Sequence, residues 1–136
     1  MTRFKRSEPR FPNLRNRGMD FPTNIEMIDP ILCVSDLDRS VSYYTEILGF
    51  EAADWNTGDF TSVSLVGNGI YLAQNAQGQP GTWVWVGVGN VRAVYELYQV
   101  RGAIIRMAPT KYPWALELQV EDPDGNVLRF GSDPDD

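Results

Sequence analysis

The clearest signal along the chain is a hydrophobic pattern that changes period in the same order twice. Residues 31–34 form a continuous apolar run of strand length. Asp36 then stands as a helix N-cap. Leu37, Val41, Tyr44 and Leu48 recur at helical spacing, and Gly49 suits the stop. Residues 50–55 read as a second strand. Residues 61–66 and 70–73 flank Gly67-Asn68-Gly69, a hairpin signature. A polar linker covers residues 74–81. The order then repeats: a strand over 83–88, an N-cap at Asn90, a helical stripe of Val91, Val94, Tyr95 and Tyr98, and a stop at Gly102. A short strand over 103–107 follows. Strands over 115–120 and 127–130 flank the turn Asp122-Pro123-Asp124-Gly125.

The two passes are in register. Val34-Ser35-Asp36-Leu37 matches Val88-Gly89-Asn90-Val91 at an offset of 54, and Gly49 matches Gly102 at 53. An offset held across a whole helix marks an internal duplication. Each half is too small to bury a good core alone, so the halves are expected to share one. The predicted fold is α+β: two β-α-β-β-β repeats, over 27–74 and 82–132, form one curved mixed sheet around a concave cavity, with helices outside. Residues 25–136 are then a single domain, preceded by a tail over 1–24 with no periodicity.

Composition narrows the picture. The chain is 43% apolar and 22% charged, as a globular domain should be. No apolar run approaches a membrane span, and no signal peptide is visible. The single cysteine, Cys33, allows no internal disulfide, which suits a cytoplasmic location and a buried small apolar residue. Residues 1–28 hold six basic and three acidic side chains, a net of +3, so with −6 for the whole chain residues 29–136 carry −9. Such an acidic body makes nucleic acid a poor partner. The chain has no histidine, which removes the commonest general base and the commonest transition-metal ligand.

Three segments carry a family resemblance: Val34 through Ser40 with Tyr43-Tyr44, Leu48-Gly49-Phe50, and Glu121 through Asn126. Over roughly residues 28–132 the chain resembles the vicinal oxygen chelate superfamily, which includes glyoxalase I, extradiol dioxygenases and bleomycin-resistance proteins. Residues 82–86 and 113–117 look most like the last of these. That resemblance implies a homodimer that binds a cationic glycopeptide drug between subunits without transforming it. The superfamily's metal-dependent enzymes place His, Glu or Gln at four positions, which fall here on Asp29, Ser64, Trp83 and Arg129. A tryptophan and a permanent cation in that set argue for no metal and no cofactor.

Strand alternation assigns the cavity wall. Trp83 and Trp85 face inward, with Glu117, Gln119 and Arg129 on neighbouring strands. Tyr71 is expected opposite Ser64, near Asp29, and Trp114 with Tyr112 is expected in a loop over the groove. Asp29, Ser64, Tyr71, Trp83, Trp85, Trp114, Glu117, Gln119 and Arg129 are therefore the candidate ligand-binding residues, suited to a small cationic or aromatic molecule. Plainer readings stand beside these. The tryptophans pack between subunits, Glu117 and Arg129 form a structural ion pair, or Tyr71 is core. Tyr44 is expected in the core and Tyr43 exposed or at an interface. Asp122 and Asp124 are expected to serve the turn. Two other functions remain open: a lyase or isomerase using Glu117 as base and Tyr71 as acid, and an interaction module in which the groove receives another chain.

Overall fold

The computed structural model describes residues 21–135, so most of the basic tail lies outside the described residues. Each repeat builds one four-stranded sheet. In the first, β1 (Ile31–Val34), β2 (Glu51–Ala52), β3 (Phe60–Leu65) and β4 (Asn68–Gln74) lie in the order β1-β4-β3-β2. In the second, β5 (Trp83–Gly87), β6 (Ile104–Lys111), β7 (Leu116–Glu121) and β8 (Val127–Ser132) lie in the order β5-β8-β7-β6. The matching orders bear out the duplication. Each sheet joins one parallel pair, β1 with β4 or β5 with β8, to antiparallel neighbours.

The expected single curved sheet is thus two sheets, with β1 and β5 both at edges. What unites them is packing. Leu32, Val63 and Leu72 of the first sheet share one cluster with Leu118, Leu128 and Phe130 of the second, and with Leu37, Tyr44, Val91 and Tyr98 of the helices. One side of each sheet is committed to this core, so the opposite sides are open faces turned away from it.

The helices start where their caps indicate. Asp36 accepts a bond from the Arg39 amide to open α1 (Leu37–Ser42), and Asn90 does the same for Ala93 in α2 (Val91–Arg101). Gly102 closes α2 at φ +80°, a conformation open to glycine. Helix α1 widens into a π turn over Tyr43–Ile47, where the Leu48 amide reaches the Tyr43 carbonyl. That extra residue turns two successive tyrosines inward. Tyr43 is accordingly buried rather than exposed. It donates to the Glu121 carbonyl at 2.6 Å and accepts from the Ile104 amide at 3.0 Å.

The turn between β7 and β8 locks the repeats together. Asp122 accepts from the amides of Asp124 and Asn126, the Asn126 side chain and the Tyr44 hydroxyl. Asn126 bridges to the Cys33 carbonyl and to the amides of Gly81 and Thr82. Cys33 is buried, as expected. Two local expectations change. The second strand is only Glu51–Ala52. The first hairpin turns at Val66-Gly67, both at positive φ, because the register sets Val63 opposite Ile70 and Thr61 opposite Leu72. Among the described residues no helix is long and apolar enough to cross a membrane.

Candidate functional site

The open face of the second sheet is built by alternation. On β5, Val84 and Val86 pack against the core while Trp83 and Trp85 project outward, 49% and 42% exposed. On β7, Leu116, Leu118 and Val120 are core, which turns Glu117, Gln119 and Glu121 to the open side. On β8, Leu128 and Phe130 are core and Arg129 stands opposite Trp85 in the parallel ladder.

These side chains form two guanidinium–indole units. In one, the Arg129 guanidinium lies 5.3 Å from the Trp85 ring centre. Its Nε and Nη2 donate to the two carboxylate oxygens of Glu117, at 2.8 Å each. Glu117 is only 1% exposed, and the Trp114 indole N–H also donates to it at 2.6 Å. Arg129, more than any other group, holds the Glu117 carboxyl below the usual carboxylate range, against the opposing effect of burial. Both oxygens are bonded, so this group is poorly placed to act as a general base or to greet an incoming amine. In the other unit, Arg106 lies 5.2 Å from the Trp83 ring centre and donates to Gln119 at 3.2 Å and Glu121 at 3.1 Å.

Gly131 completes the first unit. A β-carbon there would collide with the far edge of the Trp85 ring, so only glycine lets the indole lie down across β8. Beside it Trp114 stacks on Tyr112 at 4.9 Å and 10°. Pro113 and Trp114 are exposed, and the pair sits at the loop end of β7 as the sequence suggested.

The remaining candidates lie on the first sheet. Ser64 is opposite Gly69, and Tyr71 is opposite Ser62 rather than Ser64, two register positions away on the same face. Asp29 reaches the same region, its carboxylate 3.0 Å from where a Gly69 β-carbon would stand. Tyr71 stacks on Phe60 at 5.3 Å and 6°, and Trp55 leans on both. The nine candidates therefore fall into two groups, Asp29, Ser64 and Tyr71 on one face and the other six on the second sheet and its adjoining loop. The sequence reading missed Arg106, which plain alternation turns to the open side because its neighbour Ile105 packs against the core. It also missed Trp55 and Phe60, which an irregular stretch brings together.

A divalent ion does not fit the four family positions. Trp83 offers no ligand atom, and Arg129 keeps its cation among them. Among the described residues no three His, Cys, Asp or Glu side chains converge.

The family model for the Glyoxalase/Bleomycin resistance protein/Dioxygenase superfamily matches residues 25–130. The chain belongs to this superfamily. Among solved members of the glyoxalase/bleomycin-resistance fold, the chain is similar to the antibiotic-binding protein TnmS3 from Streptomyces sp. CB03234. The identity is 24% and the TM-score 0.69, covering 82% of this chain and 96% of that one. It is equally similar to the bleomycin-binding protein of bleomycin-producing Streptomyces verticillus, solved with copper(II)-bleomycin. There the identity is 24% and the TM-score 0.68, covering 81% and 98%. TioX from Micromonospora sp. ML1 matches at 20% identity and TM-score 0.69, covering 79% and 98%. At these identities the likeness is one of fold. No curated protein sequence matches the chain.

Proposed function

We propose that this protein binds and sequesters a small aromatic compound without transforming it, in a groove that two copies of the chain complete as a homodimer. The observation that carries the reading is the pair of guanidinium–indole units on the second sheet. Flat aromatic surface is left in solvent beside a few fixed polar groups, as a ligand wall requires. Solved structures of this fold include proteins described as bleomycin-binding and antibiotic-binding, which makes such a role chemically familiar. Exposed apolar residues at both sheets, Ile31 with Trp55 of the adjoining loop at one and Trp83 and Trp85 at the other, suit a surface that a second copy covers.

A catalytic reading asks Glu117 and Tyr71 for acid–base work. They stand on different sheets, and Glu117 is already saturated, so the geometry gives that reading no support. Titration with bleomycin-type glycopeptides and with planar aromatic compounds, followed by tryptophan fluorescence, tests the proposal. Saturable quenching at micromolar concentration is expected. No saturable change with any of them sinks it.

A further inference from the structure

The inference rests on the binding reading above and narrows its ligand. We propose that the open face of the second sheet selects an uncharged planar ring over a cationic one. An indole attracts a cation through its π face, and here both indoles of β5 already have one: Arg106 by Trp83 and Arg129 by Trp85. A second cation stacked on either ring comes within a few ångströms of the first, and like charges that close repel even through water.

Both guanidiniums are held where they lie, Arg129 firmly and the more exposed Arg106 by lighter ties. Two bonds tie Arg129 to a buried carboxylate that Trp114 also holds, and Arg106 is tied to both Gln119 and Glu121. The carboxylates that would otherwise receive an amine, Glu117 and Glu121, are the ones already engaged. The face is thus locally near neutral, two arginines against two glutamates, and its remaining attraction is exposed ring surface. An uncharged ring stacks there with no ionic desolvation. The long-range field works the other way, since a net charge of −6 draws cations toward the molecule. The two effects separate at ionic strength of about 0.15 M, where the field beyond about 8 Å is screened and contact chemistry remains.

Calorimetric titration of the full chain at that salt, with 2-naphthol and with 2-naphthylmethylammonium, compares the same ring with and without a charge. The uncharged probe should bind about fivefold more tightly. Arg106→Gln removes one guanidinium from an exposed ion pair, a change that leaves the fold intact, and should narrow that ratio. If the ammonium binds equally or better, or if Arg106→Gln leaves the ratio unmoved, the selection is overturned while the binding reading stands. If neither probe gives saturable heat, both readings fall.

Discussion

The two open faces occupy equivalent places in a duplicated fold and yet are built on different chemistry. The first presents stacked rings, Trp55, Phe60 and Tyr71, with Asp29 nearby. Among the described residues Asp29 has no ion-pair partner. The second presents indoles that each share a guanidinium with a carboxylate. The backbone is repeated and the polar chemistry is not. The lesson is that the second face is a coupled unit. Trp114, Glu117, Arg129 and Trp85 hold one another in place and Gly131 gives them room, whereas the first face rests on ring packing alone.

Substitution at the centre of that unit should separate the faces most. Arg129→Met leaves Glu117 buried without its ion partner and should lower unfolding free energy by about 3 kcal/mol. Asp29→Asn on the first face should stay within about 0.5 kcal/mol. Urea denaturation of both variants makes the comparison, and equal losses would mean the second face is not specially coupled.

Gly131→Ala comes next. The added methyl collides with the Trp85 ring, and a loss of about 1–3 kcal/mol is expected with stronger quenching of tryptophan emission by acrylamide. An unchanged emission spectrum and quenching constant would show that the indole does not lie across β8.

The acid limb of stability tests the carboxylate. Glu117 has its folded pKa lowered, so its contribution is complete above the unfolded value of about 4.3 and disappears as pH falls through the lower folded one. Glu117→Gln should therefore cost most near neutral pH, about 1–3 kcal/mol, with the gap to wild type closing below about pH 4. Asp122 shifts upward through burial, but it is common to both proteins and cancels in the difference. A gap independent of pH would contradict the assignment.

The smallest effect lies in the first sheet's hairpin. Val66 holds φ at +47°, which a β-branched residue resists, and it is 97% exposed. Val66→Asn should raise stability by about 1 kcal/mol in thermal unfolding. No gain would mean that the turn is not strained.

Much of this was legible in the sequence wherever a single strand or helix decides the outcome. Alternation placed Trp83, Trp85, Glu117, Gln119 and Arg129 on one face because the strands that carry them are regular there. The N-caps Asp36 and Asn90 and the stops Gly49 and Gly102 follow from local hydrogen bonding. What the sequence hid depends on long-range register. The pairing of Arg106 with Trp83, Gln119 and Glu121, the π turn that buries Tyr43 and the approach of Trp85 to Gly131 are each set by a partner strand or helix. The split into two sheets was hidden for the same reason. Periodicity tells which side of a strand is apolar but not which strand stands beside it.

The indole N–H resonances of the four tryptophans, assigned with Trp→Phe variants and followed during titration with 2-naphthol, test the central claim most directly. The account predicts that the signals of Trp83, Trp85 and Trp114 move together along one saturation curve. Movement of Trp55 alone, or of none of the four, would contradict it.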